Sequence, residues 1–206
     1  VERTSCKLRP SDFETQIPSE VFIDLHNQGT RLDDIASIAV STYYLAWDLI
    51  GGGQGDYDEK WNPKRRETAD HSLPYVIAVA LADGRVDKSS FSPKRLTDPA
   101  LRPFMQSITV AEDTEITRSW RTSPAYDFEV KYRDGRLLQI HIDRPQGHYL
   151  RPLTDDQISD KFRANASSAL APDAIDELLT TLWSLDQSDD QSGVMAFLRD
   201  ITPTSN

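Results

Sequence analysis

Between Tyr126 and Ile142 the chain alternates with a period of two, and that pattern specifies a β-hairpin. Tyr126, Phe128, Val130 and Tyr132 fall on one face, while Asp127, Glu129 and Lys131 fall on the other. Asp134-Gly135 supplies the turn, and Leu138, Ile140 and Ile142 return the apolar face. An alternation this one-sided predicts an antiparallel sheet with helices covering a single face. Ile35 to Val40 alternates in the same way, and Ile108 to Ala111 reads as a further short strand.

Helical segments surround these strands. Ile17, Val21, Phe22 and Leu25 share a face over about 17–29, with Gly29 as a stop. Thr42 to Ile50 continues as a short helix, and Leu73 to Leu81 is a buried helix ended by Asp83-Gly84. Between 90 and 95 a loop with a proline is expected, followed by a short helix over 98–107 that starts near Pro99. Thr154 and Gln157 form a capping box that opens a helix to about Leu170. A second helix runs from Pro172 to about Leu185, its apolar face made by Ile175, Leu178, Leu179, Leu182 and Trp183, and a last short one covers 192–199. The expected fold is α+β: an antiparallel sheet of three to four strands packed with helices, with a C-terminal helix pair, all in one domain over 1–206. The glycines at 51, 52, 53 and 55 match neither phosphate-loop signature and read as a flexible loop.

Composition removes several function classes. A formal net charge of −10 over 206 residues argues against a nucleic-acid partner, which needs a basic face. Cys6 stands alone, so no internal disulfide, cysteine-held metal or iron–sulfur cluster can form within the chain, and a reducing compartment is expected. No apolar run reaches membrane-spanning length and no signal peptide is visible, so the expected location is the cytoplasm, or the mitochondrial matrix in a eukaryote. The chain opens on Val1 in V-E-R-T-S-C-K-L-R-P, as a fragment, a processed product or an excised domain would.

Inside this acidic chain, Lys64-Arg65-Arg66 shortly precedes Asp70-His71-Ser72 and the buried helix. An arginine here can fork onto a substrate carboxylate; the plainer reading of three charges after Pro63 is a solvated loop. His71 is the foremost of the four histidines, because it lies at a helix N-terminus, where the dipole attracts anions. The alternative is that Asp70 caps the helix and His71 packs beside it. His26 reads as a surface or capping residue, His141 as solvated on the hairpin, and His148 as a lesser ligand candidate in a tight loop. Near the start, Lys7 and Arg9 can bind an anion and Glu14 can act as a base. No His/Glu pair has metal-ligand spacing on one helix face, so neither metal nor cofactor is expected.

Five segments resemble one family: K-x-x-P-x-x-F-x-x-Q at Lys7–Gln16, Trp61-x-Pro63, R-x-T-A-D-H-S-L-P-Y at Arg66–Tyr75, A-x-A-L-x-D-G at Ala78–Gly84 and R-P-L-T-D-x-Q-x-x-x-K-F at Arg151–Phe162. Together they resemble the MmgE/PrpD family of 2-methylcitrate dehydratase and cis-aconitate decarboxylase, specifically its second, smaller α+β domain. The resemblance implies removal of a proton next to a carboxylate, with loss of water or carbon dioxide and no metal, from a small di- or tricarboxylic acid. On the enzymatic reading the catalytic candidates are Lys7 and His71, which match the family's lysine and its D-H-S, together with Glu14, and the substrate-binding candidates are Arg65, Arg66 and Gln16. The family pattern commonly carries a histidine where this chain has Glu14, which can serve as a base but brings no positive charge. A helical N-terminal domain, in the same or a separate chain, and a homodimer are implied as partners. The alternative role is a non-catalytic lid, dimerisation or partner-binding domain.

Overall fold

A computed structural model describes residues 3–187 together with 192, 195 and 199. The chain forms two compact units, Val1–Pro152 and Leu153–Asn206.

In the first unit, α1 (Gln16–Asn27) leads through a 3-10 turn to β1 (Ile35–Thr42), followed by α2 (Tyr44–Leu49), α3 (Tyr57–Trp61), α4 (Arg66–Ala69) and α5 (Leu73–Asp83). Then come α6 (Pro93–Leu96), α7 (Leu101–Met105), β2 (Ile108–Glu112), α8 (Thr114–Ser119), β3 (Tyr126–Tyr132) and β4 (Leu137–Ile142). The four strands form one sheet in the order β2-β1-β3-β4. β1–β3 and β3–β4 pair antiparallel, as the alternation implies, with Val130 opposite both Ile38 and Leu138. β2 instead joins β1 in parallel, Ile38 opposite Ile108, so the sheet is mixed. A parallel neighbour needs a crossover connection, and the helices α2 to α7 supply it.

Inward-facing strand residues meet α1, where Phe22 packs edge-on to Phe128 at 5.6 Å. Helix α5 packs against both α1 and α7, and every residue from Leu73 to Leu81 is buried. Such a helix has no polar face to offer water, which is why its sequence is apolar throughout. Its start is capped by Ser72, whose hydroxyl accepts the Tyr75 N–H at 3.2 Å and donates to the Lys60 carbonyl at 2.5 Å. Asp70 is therefore not the cap. Its end is closed by Gly84 in the left-handed region, with His26 Nδ1 against the Leu81 carbonyl at 2.7 Å. His26 is thus a capping residue, for a helix other than its own.

Two local expectations need correction. The loop expected over 90–95 is a 3-10 turn, Lys88–Phe91, followed by α6. The Asp87 carboxylate accepts the N–H groups of Ser89 and Ser90, and the Ser92 hydroxyl accepts that of Arg95. The glycine run is not a loose loop: Gly51 and Gly52 are buried, and a Cβ on Gly53 would stand 2.7 Å from the Trp47 ring. Glycine lets the backbone close onto that indole.

The second unit holds α9 (Asp155–Ala166), opened by the expected Thr154–Gln157 capping box, and α10 (Pro172–Trp183), which buries Ile175, Leu178 and Leu179. The helix expected over 192–199 lies largely outside the described residues. Among those described, no helix is long and apolar enough to cross a membrane.

Candidate functional site

Residues 8–16 form a strap pinned from beneath by Gln16. Its side-chain carbonyl accepts the N–H groups of Leu8 and Arg9 at 3.1 and 3.0 Å. Its amide nitrogen faces the Arg9 and Asp12 carbonyls and the Ser11 hydroxyl within 3.3 Å. At 1% exposure, with both ends of its amide committed to the strap, Gln16 holds the loop and has no free group for a ligand. Lys7, just before the strap, is exposed.

The strap carries Asp12 and Glu14 to the start of α5. Asp12 caps the 3-10 turn Phe13–Thr15, its Oδ1 accepting the Glu14 N–H at 3.0 Å. The Asp12 N–H donates to the Asp70 carbonyl at 2.9 Å. The other carboxylate oxygen of Asp12 lies 3.3 Å from His71 Nε2, and Asp70 Oδ1 lies 2.6 Å from His71 Nδ1. The imidazole thus faces a carboxylate at each nitrogen while remaining 44% exposed at its side chain.

Burial raises the Glu14 carboxyl to about 7, and the charge of Asp12 and a hydrogen bond with it add to the rise. A hydrogen bond from Tyr43 opposes it. The phenols of Tyr43 and Tyr126 are pushed well above the usual tyrosine range, chiefly by burial, and so stay neutral donors. Tyr126 donates to the Glu14 carbonyl at 2.7 Å, and Trp120 stacks over Tyr43 at 5.7 Å. Glu14 can therefore both take and return a proton near neutral pH.

The cationic run leads into this cluster through α4, where the Arg66 carbonyl accepts the Asp70 N–H at 2.9 Å. Lys64, Arg65 and Arg66 are all exposed. Lys64 and Arg65 line a groove of about 480 Å³ with Asp58, Glu59, Asn62 and Thr68, among others. Neither Arg66 nor Lys7, Glu14 or His71 is among its lining residues. Of the remaining histidines, His141 is exposed beside Asp127 at 2.6 Å. His148 is buried at 5% exposure; burial, then the nearby Arg144, lowers its pKa, and its Nδ1 accepts the Leu150 N–H. No group of three or more His, Cys, Asp or Glu side chains among the described residues is placed to hold a metal ion.

Three members of the cluster escaped the sequence reading. Asp12 was visible only as a carboxylate two residues before Glu14. Tyr43 and Tyr126 were absorbed into apolar patterns, since nothing local shows that their hydroxyls meet the Glu14 strap.

Comparison with known proteins matches the family of the MmgE/PrpD C-terminal domain to residues 10–187. Cis-aconitate decarboxylase of Mus musculus is 27% identical over 137 residues, 66% of this chain and 28% of that protein. The enzyme of the same name from Homo sapiens is 26% identical over 141 residues, 68% of this chain and 29% of that protein. The 2-methylcitrate dehydratase of Cupriavidus necator is 28% identical over 193 residues, 87% of this chain and 37% of its own length. The chain thus spans no more than 37% of the length of these relatives. The match over 10–187 takes in the strap from Pro10, the His71 turn, the sheet and the helix pair, and the chain belongs to the MmgE/PrpD C-terminal domain family.

Proposed function

We propose that this chain is the C-terminal part, one family domain over 1–206, of a lyase acting on a small di- or tricarboxylic acid of the 2-methylcitrate or aconitate type. The reaction is proton removal next to a carboxylate, without a metal. The observation that carries the reading is that the Glu14 carboxyl and the His71 imidazole both lie against one carboxylate, Asp12. Loss of water needs one group to take the proton from carbon and another to give a proton to the departing hydroxyl. A carboxyl near neutral pH beside an imidazole supplies both. Lys7, Arg65 and Arg66 are the cations available for substrate carboxylates, and Gln16 serves by holding the strap. A helical N-terminal domain, in this or another chain, supplies the rest of the cleft, and the working form is a cytoplasmic homodimer.

The test is substrate profiling of the full-length protein with Glu14→Ala and His71→Ala beside it. Each variant is expected to lose about 10²-fold or more in turnover of its acid substrate. Unchanged rates in both would remove the site assignment.

A second reading, a non-catalytic lid or dimerisation domain, draws on one observation. Tyr44, Leu45 and Leu49 on α2 and Tyr57 on α3 are exposed by 37–49%. Self-association measured by sedimentation, abolished in Leu49→Asp without any turnover by the native full-length protein, would favour it.

A further inference from the structure

The strap and the turn before α5 meet at one side chain. Both carboxylate oxygens of Asp12 are committed: one accepts the Glu14 N–H at 3.0 Å, the other faces His71 Nε2 at 3.3 Å. Its backbone is held as firmly. The N–H donates to the Asp70 carbonyl at 2.9 Å, and its carbonyl accepts from the Thr15 hydroxyl at 2.8 Å and the Gln16 amide at 3.1 Å. A side chain fixed at both ends has one available geometry, and it imposes that geometry on its two neighbours.

We propose that Asp12 is the positioning residue of the site, aiming the Glu14 carboxyl and the His71 imidazole at one substrate position. This rests on the lyase reading above and adds to it a residue that touches no substrate. Asp70 at 2.6 Å from Nδ1 fixes one edge of the imidazole. Asp12 fixes the other, so the ring plane is set by two carboxylates from opposite sides of the strap junction. Glu14 shares a hydrogen bond with Asp12 as well as its backbone cap. A proton taken by Glu14 is then held on a pair of carboxyl groups whose far oxygen faces the imidazole. From the turn before α5 the His71 imidazole faces the pair, with Asp70 on its far nitrogen; Tyr43 from the end of β1 and Tyr126 from β3 face it as neutral phenols.

Asp12→Asn is the informative substitution, because asparagine keeps the cap on the Glu14 N–H while it removes the charge and puts an N–H donor where an oxygen faces His71. Carboxyl ¹³C resonances of Glu14 and imidazole ¹⁵N resonances of His71 are followed against pH in this chain. The Glu14 midpoint is expected to fall by about one pH unit or more, as loss of a like charge requires, and the imidazole signals to shift. Superimposable curves in native and variant, with the amide spectrum intact, would overturn the proposal. Asp12→Ser, which retains a cap but cannot span to His71, takes its place if the asparagine variant unfolds. In the full-length protein the acid limb of the kcat profile is expected to move with KM unchanged; an unmoved limb counts against Asp12. A full-length protein that turns over no carboxylic acid refutes the lyase reading alone, since the resonance curves still decide the role of Asp12.

Discussion

The strap around Asp12 and Glu14 and the turn around Lys64 and Arg65 both bring ionisable side chains to the first unit, and they are built in opposite ways. In the strap, the central polar groups meet named partners: Gln16 spans the backbone, Asp12 spans Glu14 and His71, and Tyr126 closes on the Glu14 carbonyl. In the turn, the cations are exposed and border an open groove shared with Asp58 and Glu59. Burial gives the first region its chemistry, since a carboxyl removed from water changes its proton affinity. Exposure leaves the second with charge alone, which water and salt screen. A site for proton transfer is made by the enclosure of few groups, and three adjacent cations do not substitute for it.

The largest expected effect tests that enclosure. Gln16→Ala strands the Leu8 and Arg9 N–H groups and is expected to cost about 2–3 kcal/mol. It should lower the urea midpoint at unchanged slope; a loss under about 1 kcal/mol would mean the strap holds without its clamp. Ser72→Ala removes the buried cap of α5 and its bond to the Lys60 carbonyl, with an expected cost of about 2 kcal/mol in the same measurement.

Next comes pH. The folded chain keeps a proton on Glu14 where the unfolded chain, with an ordinary carboxyl at 4.5, has released it. Folded stability therefore falls as pH rises from 4.5 to about 7. Glu14→Gln removes that dependence, so the variant should gain about 1–2 kcal/mol over the native chain between pH 5 and pH 7.5, the full linkage being reduced by residual solvent contact. Parallel stability curves for the two would show that Glu14 is an ordinary surface carboxylate. The smallest effect belongs to the other region: Lys64→Ala and Arg65→Ala should each change stability by less than about 0.5 kcal/mol in thermal unfolding. A loss above 1 kcal/mol in either would erase the contrast between an enclosed region and an open one.

Much of the fold is legible from local pattern. The hairpin, the Thr154–Gln157 box and the Pro172 start follow from periods and caps that lie within a few residues of each other. The apolar stretch from Leu73 to Leu81 is likewise readable as a buried helix. The parallel β1–β2 pair is not, because its partners are separated by everything from α2 to α7. The same distance hides the clustering of Asp12 with His71 and of Glu14 with Tyr43. Gln16 illustrates the gap most plainly: the family pattern marks the position, but only the folded strap shows its amide engaged by backbone rather than open to a ligand.

By itself the sequence determined the α+β class, the hairpin and the longer helices, the family and the short roster of titratable side chains, because each depends on nearby residues or a linear pattern. The tertiary structure decided which of those side chains are enclosed together. Enclosure depends on contacts across the chain, and it is desolvation and neighbouring charge, rather than residue identity, that turn Glu14 into a group able to exchange a proton near neutral pH.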